Sequence, residues 1–288
     1  MLIREVVDKI WQQLSGKYAE TEIDSFVHIL FKQYLDMTSF EIHLMQENDM
    51  PDDSERQILE NVGELAKYRP IQYILGKTEF YELHFELTPD VLIPRPETEE
   101  IVDWIVCEYE NKISNTSLSI IDIGTGSGCI AVSLKANFPN SEVWAVDVSE
   151  PALSVAKRNA AKNNVEINFI KQDILNEELN YTDCDYFDII VSNPPYVTPS
   201  EKAQMQLNVL EYEPHCALFT PENDPLIFFK RLAAFGIKKL KKSGRIFFEI
   251  NEAYHEEVAD ILKQHGFSDI SLRKDINGKW RMISASFC

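Results

Sequence analysis

From Glu22 to Leu35 the apolar residues Ile23, Phe26, Val27, Leu30, Phe31, Tyr34 and Leu35 recur on one face at helical period, which predicts an amphipathic helix. Thr38 and Glu41 have the spacing of a capping box and predict the start of another helix. Ile58, Leu59, Val62, Leu65 and Ala66 make a further stripe of the same period. Residues 1–75 are therefore expected to form a small all-helical domain whose stripes pack on one another. Between Gly76 and Pro94 the period changes to two, with Leu83, Phe85 and Leu87 alternating with His84 and Glu86. That alternation predicts a β-hairpin or extended linker over 76–95. It runs into Ile93-Pro94-Arg95-Pro96-Glu97-Thr98-Glu99, where two prolines fix the backbone and the acidic residues open the next helix.

From Ile101 onward the pattern switches back and forth between strand and helix. Strands are predicted at Ser119–Ile123, Glu142–Val148, Ile167–Gln172, Phe187–Ser192 and Arg245–Ile250. Helices fit at Cys129–Asn137, Pro151–Asn163 and Leu226–Lys242. Alternation of this kind calls for a mostly parallel sheet with helices on both faces. Near the end, Ile270–Asp275 and Trp280–Phe287 flank Asn277-Gly278, a hairpin signal that adds an antiparallel pair. The expected fold is α/β over 96–288, with the helical domain before it. Internal repeats and low-complexity segments are absent from the sequence.

Composition narrows the classes. The chain has 288 residues, 44% hydrophobic and 26% charged, which suffices for a proper core. No apolar run approaches the roughly 18–20 residues of a membrane helix. Met1 to Lys9 mixes Arg4, Glu5, Asp8 and Lys9 into its apolar residues, unlike a signal peptide, so a cytoplasmic protein is expected. A net charge of −19 opposes a nucleic-acid backbone. Against that trend Lys230, Arg231, Lys238, Lys239, Lys241, Lys242 and Arg245 cluster without an intervening acid, which reads as a solvated helix face, the alternative being a nucleic-acid or ribosomal contact. The five cysteines include no C-x-x-C pair and suggest reduced thiols, with neither a disulfide framework nor a zinc site. His255-Glu256 begins an H-E-x-x-H pattern that fails at Ala259. Asn115-Thr116-Ser117 matches a glycosylation acceptor but has no secretion signal beside it.

The first predicted strand of the α/β region runs into Asp122-Ile123-Gly124-Thr125-Gly126-Ser127-Gly128 and then directly into a helix. Glycines let a ligand approach the backbone, and a helix N-terminus favours an anionic group. The next strand ends at Asp147, where a carboxylate can accept hydrogen bonds from ribose hydroxyls. Together these point to an adenosine-type cofactor. The third glycine of the dinucleotide fingerprint would fall at Cys129, so the pattern is G-x-G-x-G. This resembles the S-adenosylmethionine loop of Rossmann-like methyltransferases. The resemblance implies that Gly124, Thr125, Gly126, Ser127 and Gly128 cradle the methionine end, and that Asp173 holds the adenine amino group, the alternative for Asp173 being a helix-capping or solvated acid.

Asn193-Pro194-Pro195-Tyr196 follows the strand Phe187–Ser192 directly. In an open parallel sheet, ligands bind beyond the carboxyl ends of strands, where the strand order reverses. The tetrapeptide resembles that of methyltransferases acting on planar NH2 groups. An amide nitrogen has its lone pair delocalised and is a poor nucleophile. The Asn193 side-chain oxygen and the Pro194 carbonyl can each accept one N–H, favouring the pyramidal, positively charged nitrogen of the transition state. Tyr196 can stack on the flat group and, with Pro195, keep it in line. No dedicated general base is evident.

The resemblance then narrows. Arg69-Pro70-Ile71-Gln72-Tyr73-Ile74-Leu75-Gly76, Val91 to Glu99, the glycine loop, Asn193–Tyr196 and Glu213-Pro214-His215-Cys216-Ala217-Leu218 occur in the order of one family. Over nearly the whole chain it is similar to the peptide chain release factor N(5)-glutamine methyltransferases, the HemK or PrmC family. This implies methylation of the glutamine in the Gly-Gly-Gln motif of bacterial class-1 release factors, with the helical domain recognising that partner. It also implies a monomer that forms no stable nucleic-acid complex. The chain departs from its relatives at Asp224-Pro225-Leu226 and at Asn251 after Glu249-Ile250, neither expected to touch the chemistry. Val197 to Pro225 reads as a long irregular stretch bordering the substrate cleft. Two other readings compete: an N-methyltransferase for an exocyclic base amine of DNA or RNA, and a non-catalytic S-adenosylmethionine-binding adaptor.

Overall fold

In the computed structural model, residues 1–110, 117–176 and 186–287 are described. Asn115-Thr116, Cys184 and Cys288 lie outside the described residues. The chain divides into two compact units. One holds Met1–Leu75 together with Leu207–Tyr212, the other Gly76–Gln206 and Glu213–Cys288.

The first unit is helical: α1 (Ile3–Leu14), α2 (Glu20–Leu35), α3 (Ser39–Leu44), α4 (Asp52–Leu65) and α5 (Ile71–Leu75). The stripes seen in the sequence become its core. Ile10 and Leu14 of α1, Ile23, Leu30 and Phe31 of α2, and Ile58, Val62 and Leu65 of α4 are all fully buried. Each such side chain contributes about 1.5–3 kcal/mol on leaving water. Thr38 and Glu41 form the expected capping box at α3. At the end of α2 the chain turns through Asp36 in the left-handed region, whose N–H bonds back to the carbonyl of Lys32.

The second unit opens with a hairpin of β1 (Lys77–Phe80) and β2 (Leu83–Glu86), antiparallel with Phe80 opposite Leu83. Its turn residues Tyr81 and Glu82 both take positive φ, 46° and 62°, a conformation usually left to Asn and Gly. Phe80 and Phe85 are nearly or fully buried and meet edge to face at 6.0 Å.

The main sheet comprises β3 (Ser119–Ile123), β4 (Glu142–Asp147), β5 (Asn168–Lys171), β6 (Phe187–Ser192), β7 (Leu240–Glu249), β8 (Phe267–Lys274) and β9 (Trp280–Phe287). Its order is β5-β4-β3-β6-β7-β9-β8, parallel through β7 and antiparallel for the closing pair. The helices α6 (Pro96–Tyr109), α7 (Cys129–Asn137) and α8 (Glu150–Lys162) pack on one face, around Ile120, Ile105 and Val132. On the other face α11 (Ile227–Lys239) and α12 (His255–Gln264) close over Ile121, Phe248 and Leu262. The strand order reverses between β3 and β6, so the carboxyl ends of these two strands frame a crevice.

Two expectations change. The helix predicted to reach Lys242 stops at Lys239, because Leu240 is buried and pairs with Phe187 as the first residue of β7. Lys241 and Lys242 therefore lie on a strand, and the basic run does not form one helix face. Three of its members find acids: Lys230 bonds Asp224, Lys241 bonds Asp188, and Arg245 pairs with Glu108 and Asp269. Nor is Val197 to Pro225 irregular. It holds a 3-10 turn at Pro199–Gln204 and short helices α9 (Leu207–Tyr212) and α10 (His215–Leu218). Its neck is closed by the Val197 N–H to Leu218 and the Thr220 N–H to Val197, at 3.0 and 2.9 Å.

Candidate active site

The crevice opens into a cavity of about 290 Å³ within the second unit. Gly124, Thr125, Gly126 and Ser127 line it from the β3 end, Asp147 and Val148 from the β4 end, Asp173 from the β5 end. Asn193, Pro194 and Pro195 complete it after β6. The glycine loop and the tetrapeptide are direct neighbours: a Cβ on Gly124 would stand 3.9 Å from the Asn193 carbonyl. Ser192 Oγ also donates to the Ile123 carbonyl at 2.6 Å, tying the two strand ends together.

Two of the expected residues stand outside the lining. Gly128 is buried behind the loop at φ +81°, where an added Cβ would lie 3.0 Å from the Ala156 Cβ of α8. Tyr196 turns its hydroxyl away to donate to Glu249 Oε1 at 2.8 Å, with the Arg281 guanidinium 5.9 Å from its ring. Burial and the adjoining carboxylate push that phenol well above its ordinary pKa. The bond fixes the hydroxyl end of Tyr196, whose side chain stays partly exposed beside Pro195.

Asp147 accepts the Gly126 N–H on Oδ2 at 2.8 Å and the Ser149 N–H on Oδ1 at 2.9 Å. Burial raises its pKa and these backbone donors oppose the rise. Asp173 takes the Leu175 N–H at 2.8 Å and the Asn176 side-chain amide, so it caps a local turn while facing the cavity. Each ionised carboxylate keeps further lone pairs for a ligand.

Around the tetrapeptide lies a buried polar network. Thr98, on the first turn of α6, donates Oγ1–H to Glu249 Oε2 at 2.6 Å, and Asn193 Nδ2 reaches Thr98 Oγ1 at 3.3 Å. Burial raises the pKa of Glu249, while the two hydroxyl donors and the Arg281 charge act against it. Among the described residues, neither Asn193 Oδ1 nor the Pro194 carbonyl has a hydrogen-bond donor. Asn251 was not expected to touch the chemistry. It adjoins the tetrapeptide, donating to the Tyr196 carbonyl at 3.2 Å and to Glu201.

Sequence reading assigned no role to Thr98, Glu249, Glu213 or Asn159. Glu213, almost wholly buried, accepts from Arg95 at 2.6 Å and from the Ile93 N–H at 3.3 Å. It thereby joins two motifs that are 118 residues apart. One signal for Glu249 was available: an acid ends the otherwise apolar run Ile246-Phe247-Phe248. Asp122, on β3 behind the loop, accepts from Thr125 Oγ1 at 2.6 Å while its other oxygen lacks a partner of normal geometry. Burial pushes its pKa up to about 7, a rise that Thr125 and the Ala131 N–H only partly oppose.

A sheet of this order, with a glycine loop after β3, an acid ending β4 and Asn-Pro-Pro-Tyr after β6, defines a Rossmann-like methyltransferase. Residues 5–76 match the PrmC N-terminal domain and residues 109–212 the Methyltransferase small domain. The release factor glutamine methyltransferase of Flavobacterium psychrophilum is 42% identical, covering 100% of both chains. This chain belongs to the release factor glutamine methyltransferase family. Its counterpart of that name in Bacteroides thetaiotaomicron is 38% identical over 96% of this chain and 97% of that protein. Among solved structures, the catalytic domain of hMettl16 in complex with a MAT2A 3′UTR hairpin superposes with TM-score 0.56 at 17% identity, covering 96% of this chain and 95% of that one. A Pyrococcus furiosus methyltransferase gives TM-score 0.52 at 20% identity, covering 82% and 98%. These two likenesses concern the fold. No helix among the described residues is long and apolar enough to cross a membrane.

Proposed function

We propose that this chain transfers the methyl group of S-adenosylmethionine to the side-chain amide nitrogen of the glutamine in the Gly-Gly-Gln motif of class-1 peptide chain release factors. The observation that carries this reading is the pair of unpartnered acceptors, Asn193 Oδ1 and the Pro194 carbonyl, on the cavity beside the glycine loop. Relatives of the same length that are named for this reaction support a protein amide over a base amine.

The cavity suits the cofactor on the chemistry of its walls. The N–H groups of Gly124, Thr125, Gly126 and Gly128 donate within the protein, so the Ser127 N–H and the N-terminus of α7 would receive the carboxylate of the methionine end. Asp147 would accept the ribose hydroxyls and Asp173 the adenine amino group. S-adenosylmethionine supplies, when bound, an electrophilic methyl on a sulfonium. Asn193 Oδ1 and the Pro194 carbonyl accept the two N–H bonds of the substrate amide. Both bonds strengthen as the nitrogen gains positive charge, so they stabilise the transition state more than the ground state. Pro195, on the cavity wall, and Tyr196, held at its hydroxyl by Glu249, keep the substrate amide in line. The product proton leaves to water. The helical domain, 1–75, recognises the release factor, and the enzyme works as a cytoplasmic monomer without stable nucleic-acid binding.

The test uses purified protein, tritiated S-adenosylmethionine, and cognate release factor or total nucleic acid as acceptor. Label is expected on the release factor and absent when the motif glutamine is replaced by alanine. Label on nucleic acid alone would reverse the assignment in favour of a base amine. Cofactor binding with no transfer to either acceptor would instead leave an adaptor.

A further inference from the structure

We infer that Glu249 is a positioning residue that, acting through Thr98, determines which end of the Asn193 amide faces the substrate. This rests on the reading above, in which Asn193 receives the substrate amide.

The argument is one of hydrogen-bond polarity. A primary amide is nearly symmetric in shape, yet its two ends are opposite in function, since oxygen accepts and nitrogen donates. If Asn193 turned its NH2 toward the substrate NH2, two donors would face each other and the pocket would repel the group it should hold. Something must set the flip. Glu249 ends β7 with its side chain buried, and an ionised carboxylate can only accept. One oxygen receives the Tyr196 hydroxyl at 2.8 Å, the other the Thr98 hydroxyl at 2.6 Å. Thr98 has a single proton. Once that proton is committed to Glu249, the Thr98 oxygen can offer only lone pairs to its remaining neighbour. That neighbour is Asn193 Nδ2 at 3.3 Å. The amide nitrogen is thus drawn toward Thr98, and Oδ1 is left without a protein donor among the described residues. Thr98 and Asn193 both line the cavity, so the directed chain ends at the place where a ligand sits.

Burial makes the chain effective. Thr98 is 2% exposed and Glu249 1%, so water does not compete for these bonds. Burial raises the pKa of Glu249, and the Thr98 and Tyr196 hydroxyls, with the Arg281 guanidinium over the Tyr196 ring, act against that rise in favour of the charged carboxylate. Glutamine at position 249 would keep the shape but present an N–H at one end. It would lose an acceptor for either Tyr196 or Thr98. Where Thr98 accepts that N–H, its own proton is free to turn toward Asn193 and invert the amide.

The experiment compares Thr98→Val, Thr98→Ser and Glu249→Gln with the native protein, measuring kcat on the release factor, calorimetric affinity for S-adenosylmethionine, and thermal unfolding. Asn193→Ala runs alongside. Thr98→Val and Glu249→Gln are expected to lower kcat by about tenfold to hundredfold while cofactor affinity stays within about twofold. Thr98→Ser, which keeps the hydroxyl, is expected to retain most of the turnover. The inference is overturned if Thr98→Val turns over normally, or if Thr98→Ser is as impaired as Thr98→Val. A fall in kcat matched by an equal fall in cofactor affinity, or failure of both Thr98→Val and Glu249→Gln to fold, also overturns it, since the network would then be structural only. Asn193→Ala separates the two claims. If it loses turnover while Thr98→Val does not, only the positioning role fails. If it turns over normally, the reading of the amide pocket fails first.

Discussion

The side-chain amide of Asn159 pairs with the backbone of Glu86 much as a neighbouring strand would. Its Oδ1 accepts the Glu86 N–H at 2.6 Å and its Nδ2 donates to the Glu86 carbonyl at 3.0 Å. The same Nδ2 also donates to the Ser127 carbonyl at 2.9 Å, so one fully buried residue of α8 holds both the hairpin and the glycine loop. Replacing it by Leu leaves three backbone groups without partners. Urea unfolding of Asn159→Leu should show a loss of about 2–4 kcal/mol. Asn163→Ala, which gives up an exposed bond to the His84 carbonyl, should lose less than about 1 kcal/mol.

Asn193 and Asp147 should separate in kinetics. Asn193→Ala removes the acceptor proposed to act most in the transition state and is expected to cost about 10²–10³-fold in kcat, with a smaller effect on cofactor affinity. Asp147→Ala removes the proposed ribose acceptor and the anchor of the Gly126 N–H, so cofactor affinity should fall first. Parallel behaviour of the two variants in steady-state kinetics and calorimetry would contradict this division of roles.

The loop glycines should also fail differently. At Gly128 an added methyl meets Ala156 Cβ at 3.0 Å and Cα at 3.3 Å, against helix backbone, and φ is +81°. Gly128→Ala is expected to cost about 2–4 kcal/mol of stability. Gly126 has φ +55° and no atom within 4 Å of the added Cβ, and it lines the cavity. Gly126→Ala should cost only about 1 kcal/mol of stability while weakening the cofactor. Denaturant titration and calorimetry on the same preparations check both halves.

Asp122 makes stability depend on pH. Its pKa rises from 3.8 to about 7 on folding, so the native state holds a proton that the unfolded chain releases. The associated stability is fully present below pH 3.8 and is lost as pH rises through about 7. The most this can amount to is about 4 kcal/mol. Asp122→Asn should flatten the decline in unfolding free energy between pH 5 and pH 8 relative to the native protein. An unchanged slope would show that other buried acids carry it.

The strands β3 and β6 and the helix α7 coincide with their sequence expectations, because each is an apolar run bounded by turn residues or a glycine loop. The hairpin turn was not legible: Tyr81 and Glu82 carry no turn signal, and Tyr81 takes positive φ while packing on the core. The end of α11 was misplaced because lysines suit a helix well. Only the pairing of Leu240 with the distant Phe187 decides for a strand. Local motifs announced the loop and the tetrapeptide. The polar network behind them was hidden, since Thr98 and Glu249 are 151 residues apart and acquire meaning only when α6 and β7 meet.

The bond from the Gly126 N–H to Asp147 joins the loop after β3 to the end of β4 within the protein itself. A molecule that reaches from one to the other docks on a surface whose own parts are already fixed in relation to each other. Its association then sacrifices chiefly the molecule's internal rotations, with little ordering demanded of the protein. Two fragments matching the two ends should accordingly bind side by side without hindering one another. Their covalent union gains the advantage of a high local concentration, set by the length of the link between them.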